Sequence, residues 1–136
     1  MASRIKLYNP DTLHKPAGTY CHVARVTAGE LLFIAGQVGI DPSGKVVEGD
    51  LEGQAEQVYK NLRAALQAEG CDLKHVVQLT TYLVDSRDIA KFRKWRERTY
   101  PTYFPDGKYP PNTLLVIDRL ATEDIRLEIA AIAAPG

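Results

Sequence analysis

Neither charge is in excess. Lysine and arginine together number 17, as do aspartate and glutamate, so the formal net charge at neutral pH is zero. No global field therefore draws the chain to nucleic acid or to an anionic membrane, and any preference for anions has to be local. Cysteine is scarce: Cys21 and Cys71 show no CxxC spacing, which argues against a zinc knuckle or a redox pair. Two free thiols are expected, with a disulfide the minor alternative. The three histidines, His14, His22 and His75, have neither HxH nor HExxH spacing and no acidic cluster beside them, so no metal and no cofactor is expected. Cys21 and His22, as neighbours on a strand, would point to opposite faces and make a poor thiolate and imidazole pair. No run approaches the ~18 apolar residues that a membrane span needs, and residues 1–10 hold no signal-peptide core. The chain reads as soluble and cytoplasmic, with no membrane partner. Repeats and low-complexity tracts are absent as well.

What is present fits one domain, residues 1–136, since 45% of the residues are hydrophobic and a chain near this length buries roughly 70% of its unfolded surface. After a polar lead-in with Pro10 and Pro16, the segment from Tyr20 to Val26 alternates loosely, breaks at Ala28-Gly29-Glu30 and resumes as Leu31 to Ala35, the pattern of a hairpin. A turn follows at Asp41-Pro42-Ser43-Gly44, then a short strand near Lys45 to Val47. From Leu51 to Glu69 the apolar residues Leu51, Ala55, Val58, Tyr59, Leu62, Ala65 and Leu66 keep the spacing of an amphipathic helix, which Gly70 would stop. Val76 to Val84 is rich in β-branched residues and apolar at nearly every position, which predicts a strand covered on both faces. Asp85 and Ser86 offer caps for a second helix near Arg87 to Thr99, with Ile89, Phe92 and Trp95 inside. Pro101, Pro105, Gly107, Pro110 and Pro111 predict a loop, and a last pair of strands is expected near Thr113 to Leu120 and Ile125 to Ala133. This order points to an α+β fold with two helices on one face of a mostly antiparallel sheet. Apolar surface left uncovered would favour self-association.

Two stretches bear on chemistry. Lys91 to Arg98 carries five positive charges with interleaved aromatics, a pattern shared with nucleic-acid surfaces, yet Phe92 and Trp95 share a helical face with Ile89. That spacing favours an anchored helix whose charges are solvated, with Arg93 beside the anchor and able to lean over a cleft. Glu128 interrupts the apolar strand that ends the chain, where carboxylates are rare unless paired or functional. Two readings stay open: a salt bridge to Arg126 or Arg119, or an acid in a partly apolar site that shuttles protons near neutrality.

Four segments, in this order and spacing, resemble the RidA (YjgF) family. They are Gly18-Thr19-Tyr20; Phe33-Ile34-Ala35-Gly36-Gln37-Val38-Gly39-Ile40-Asp41-Pro42-Ser43-Gly44; Gln54-Ala55-Glu56-Gln57-Val58; and the ending Tyr109-Pro110-Pro111-Asn112-Thr113 through Leu127-Glu128-Ile129-Ala130-Ala131-Ile132-Ala133. The similarity covers the chain from about residue 7. It implies a chorismate-mutase-like α+β fold, a homotrimer with a central barrel, and small-molecule clefts between subunits. The activity it implies is hydrolysis of imine or enamine acids to keto acids and ammonia, without metal or cofactor. By the same resemblance Tyr20 is the cleft tyrosine, Gly36 the glycine beside the ligand, and Glu128 the carboxylate that positions or activates water. The chain departs from the family at Ala35, where a hydroxyl is usual, and at Asn112, where deaminases hold the arginine that grips the substrate carboxylate. Thr113 follows, and Leu114 replaces a common cysteine. A neutral amide cannot supply the charge of a bidentate arginine. On the second helix a position often held by asparagine is Arg93, a cation that would take the lost one's part. Three functions follow: an imine or enamine hydrolase with shifted specificity, a trimer that binds a metabolite without turnover, and the endoribonuclease or translation inhibitor sometimes ascribed to the family. Zero net charge and the lack of a paired-histidine pattern speak against the last.

Overall fold

The computed structural model describes residues 4–27 and 29–136; residues 1–3 and Ala28, the first residue of the expected break, lie outside them. Along the described chain run β1 (Ile5–Tyr8), β2 (Val23–Val26), β3 (Leu32–Val38), α1 (Leu51–Gln67), a 3-10 turn (Leu73–His75), β4 (Val76–Leu83), α2 (Asp88–Tyr103), β5 (Asn112–Val116) and β6 (Leu127–Ala133). β1 and β2 make a two-stranded sheet, and the main sheet has the order β3-β6-β4-β5. Only β4 and β5 run parallel; the other pairings are antiparallel. The fold is α+β, as expected, and no helix among the described residues is long and apolar enough to cross a membrane.

The pairings differ from the sequence reading in several places. β2 pairs with β1, from Ile5 opposite Val26 to Tyr8 opposite Val23, and not with β3. β1 hides in the lead-in because four residues are too few for alternation to stand out. β3 pairs with β6 instead, whose longer apolar ladder outweighs the local hairpin. The strand expected near Lys45 shrinks to one bridge, Ile40 to Val46, because the Asp41 carboxylate accepts from the backbone N–H groups of Ser43 and Lys45 and curls the segment. β5 and β6 are not neighbours: β4 lies between them, and α2 is the crossover that a parallel β4 and β5 require. Pro101 sits inside α2 and forfeits a helical hydrogen bond, yet the buried Tyr100 and the stacking of Tyr103 on Tyr59 hold the last turn. β4 is covered on one face only: Leu79, Thr81 and Leu83 are buried, while Gln78 is exposed and Thr80 and Tyr82 are half-buried.

Both helices lie on the buried face. α1 starts where Asp50 accepts from Gly53 N–H, packs Ala55, Val58, Leu62 and Leu66 inward, and ends near Gly70, whose φ of +71° only glycine adopts at little cost. Each such fully buried leucine contributes about 2 kcal/mol of transfer free energy. Two amides of α1 pin the strands that matter below. Asn61 donates to the carbonyls of Val38 and Ile40 at the end of β3, at 3.0 and 2.9 Å. Gln54 donates to Asp124 C=O at 2.7 Å and accepts from Arg126 N–H at 2.8 Å, just ahead of β6. Arg126 then bonds the buried Asp88 of α2 at 2.7 Å. Asp85 does not cap α2 from its N-cap; it accepts from Arg87 N–H in the turn before it.

The hydroxyls of Tyr59 and Tyr100 share a 2.5 Å hydrogen bond inside the aromatic cluster. Burial pushes both phenols above the ordinary tyrosine range. The folded chain thus keeps protons that the unfolded chain releases above about pH 10. Stability is expected to be level below that pH and to fall as pH rises through it; urea midpoints between pH 9 and 11.5 check the slope, which Tyr59→Phe should reduce.

Candidate functional site

The ladder between β3 and β6 slips between Ile34 and Gln37, so Ala35 and Gly36 form a bulge. Bulges re-aim side chains and are frequent beside active sites. Here the bulge makes room for one side chain: a Cβ on Gly36 would collide with the Glu128 carboxylate. Glu128 itself lies opposite Val38 on one side and Tyr82 on the other, half-buried in β6. Neither expected ion pair forms. Arg126 is taken by Asp88, and Arg119 bonds Glu123 at 2.9 Å. Among the described residues the Glu128 carboxylate has no hydrogen-bond or ion-pair partner.

Glu128 faces the open side of the sheet with Gln78, Thr80, Tyr82, Ala130 and Ile132, as the register of β4 and β6 dictates. A concavity of about 410 Å³ lies on this side, lined by Phe33, Ala35, Gln78, Thr80, Ala130 and Ile132. Phe33 is 74% exposed there and Leu115 41%, both large apolar side chains in water. Thr113 stands on the same face, opposite Thr80. Asn112 and Leu114 are on the other face, opposite Leu79 and Thr81. The Thr81 hydroxyl donates to Asn112 Oδ1 at 2.8 Å, and Leu114 packs on the core. The single chain therefore joins Ala35, Gly36 and Glu128, and sets Asn112 and Leu114 apart from them.

Residues 12–135 match the model of the endoribonuclease L-PSP family, which is the RidA/YjgF family. The chain belongs to it. Among its RidA/YjgF relatives is a RutC family protein of Pyrococcus horikoshii, 41% identical over 120 residues, which are 88% of this chain and 89% of that one. The 2-iminobutanoate/2-iminopropanoate deaminase of Mus musculus is 36% identical over 92% of this chain and 89% of its own. The crystal structure of YyfB from Yersinia pestis, of the conserved Rid family, matches with a TM-score of 0.86 at 29% identity, covering 98% of this chain and all of that one.

The remaining RidA-implied residues are dispersed. Tyr20 is half-buried; its hydroxyl accepts weakly from Ala17 N–H at 3.4 Å and its ring meets His22 edge to face at 5.6 Å. Arg93 is exposed on α2 and its guanidinium has no partner among the described residues. The basic stripe around it is thinner than the sequence suggests, because Arg96 is buried over the Phe92 ring and Arg98 pairs with Glu52 at 3.0 Å. Sequence reasoning missed two features. Thr81 reads as an ordinary strand residue, and nothing in its spacing announces that its hydroxyl orients Asn112. His14 and His22, eight apart, come together edge to face at 4.9 Å, and His22 Nε2 donates to the His14 carbonyl at 2.7 Å. Cys21 and Cys71 are free and buried.

Proposed function

We propose that the chain is a cytoplasmic, cofactor-independent hydrolase of imine or enamine intermediates that works in clefts between the copies of a homotrimer. One observation carries this reading: a half-buried carboxylate without a partner, set against a bulge glycine on an open apolar face. Such a group is free to act on a ligand. Glu128 takes a proton from water as the water oxygen bonds the carbon of the protonated imine and the C=N π pair returns to nitrogen. Glu128 then gives that proton to the carbinolamine nitrogen, and ammonia leaves as the C–N bond breaks, the C=O bond forms and the hydroxyl proton passes back to the carboxylate. General base help of this kind supplies roughly 10²- to 10⁴-fold in rate. Ala35 and Gly36 line the approach with backbone, and Thr113 and Tyr20 are further contacts. The assembly is supported by placement: Glu128 and Asn112 lie on opposite faces of one sheet, so a ligand touching both needs two copies. Exposed Phe33 and Leu115 supply apolar surface for that contact. The deaminase name of the mouse relative supports the reaction class.

Specificity is shifted, because Asn112 stands where deaminases hold a carboxylate-gripping arginine. The engagement of its amide by Thr81 also favours a second reading, a trimer that binds a metabolite without turnover. Ammonia and keto-product release from freshly generated imines, carboxylated and uncarboxylated, separates the two. Turnover lost in Glu128→Gln supports the hydrolase. Silence from the native chain with activity in Asn112→Arg supports the binder, and silence from both overturns the hydrolase reading. Sedimentation of the native chain tests the trimer.

Gly36→Ala gives a finer check on the site. The new methyl would meet Glu128 Cγ as well as its carboxylate, so the side chain has to turn about its first torsion. It loses no partner in doing so, and the melting temperature should fall modestly, whereas displacing the base by about 1 Å should lower turnover by about 10²-fold.

A further inference from the structure

The amide of Asn112 is oriented by its neighbour. Thr81 is 1% exposed, and its hydroxyl proton has one acceptor, Asn112 Oδ1 at 2.8 Å. With the amide turned over, Nδ2 would donate to the hydroxyl oxygen and leave the hydroxyl proton in the core without an acceptor, which buried groups avoid. Oδ1 therefore faces Thr81, and the two N–H bonds of Nδ2 point away from it. Among the described residues Nδ2 has no partner. It sits half-buried at the first residue of β5, which among the described strands pairs with β4 alone.

We propose that Thr81 is a positioning residue that presents the Asn112 amide as a fixed pair of N–H donors, selecting imines and enamines that carry a neutral carbonyl, a carboxamide or ester, where deaminase substrates carry a carboxylate. This rests on the site assigned under the proposed function. A carboxylate entering a half-buried position gives up its hydration, and a guanidinium compensates with charge where an amide does not. A neutral carbonyl gives up less and needs only the N–H donors that Asn112 offers. Leu114, packed on the core along the same face, adds no charge.

Binding of unreactive products tests this apart from turnover. Nitrogen-15-labelled protein is titrated with 2-oxobutanamide and with 2-oxobutanoate, following the Asn112 side-chain NH₂ signals. The amide should bind about tenfold more tightly than the acid, because the carboxylate gives up more hydration that no cation restores. Thr81→Val should reduce that preference to within about twofold, Thr81→Ser should keep it, and Asn112→Arg should invert it. Equal or tighter binding of the acid by the native protein overturns the proposal, as does binding of neither compound or a preference that survives Thr81→Val. Should Thr81→Val fail to fold, the native preference and Thr81→Ser still decide. Ammonia release is read separately: turnover without amide preference sinks this inference alone, and amide preference without turnover of any imine sinks the hydrolase reading alone.

Discussion

Glu128→Gln lowers hydrolysis of every imine that the native chain turns over by about 10²- to 10⁴-fold, while the melting temperature stays within about 2 °C. The two halves of this expectation have one cause. Glutamine keeps the size of the side chain and its fit against Gly36 but cannot take a proton from water. Because the native carboxylate has no internal partner, its replacement breaks no hydrogen bond and no ion pair. Structural carboxylates behave otherwise: removing Asp88, which Arg126 bonds inside the protein, would strand a guanidinium and cost stability. Ammonia release and a thermal scan on the same preparation decide the matter. Turnover within twofold of native would move the base elsewhere, and a large fall in melting temperature would mean that Glu128 serves the fold.

Trp95→Ala costs about 3–5 kcal/mol of stability, the range for deleting a large buried aromatic. Trp95 is fully buried, stacked on Phe92 at 5.9 Å and in contact with the rings of Tyr59 and Tyr103 at 5.4 and 6.1 Å. It joins α2 to α1, so a cavity there loosens the crossover between β4 and β5. Its indole N–H is buried without an acceptor among the described residues, a standing cost that Phe would remove. Trp95→Phe should therefore cost much less than Trp95→Ala, and the gap between them measures packing. Circular dichroism in urea is the suitable readout, since Trp95 is the sole tryptophan of the chain and its loss removes the fluorescence signal. A cost below 1 kcal/mol for the alanine variant would transfer the anchoring of α2 to Arg126 and Asp88.

What the sequence disclosed follows from the range of each interaction. α1 was legible almost to its ends because the Leu51 to Leu66 spacing and Gly70 are local, while its cap at Asp50 came only with the structure. β4 and β6 announced themselves by apolar runs. Which strands pair was not legible, since the β3 and β6 ladder joins residues about a hundred positions apart and competes with a hairpin that looks better locally. Pro101 misled because a tertiary aromatic cluster outweighs one lost helical bond. At the site, Glu128 stood out as a charge in an apolar run and Gly36 came from family likeness. The reason Gly36 must be glycine became visible only with the bulge. Thr81 gave no signal, because a buried threonine in a strand is ordinary until its acceptor is known.

The place of β6 has a further consequence. Among the described strands it comes after β3, β4 and β5 in sequence, yet it lies between β3 and β4, so both wait for it. At the usual pace of 5–20 residues per second, β3 leaves the ribosome about 5–20 s before its partner exists, with the backbone edge that β6 will pair left open. A nascent chain that stops short of β6 would hold both helices and an open sheet, prey for proteases and for other nascent chains. The seven residues of β6 are thus the keystone on which the timing of this sheet depends.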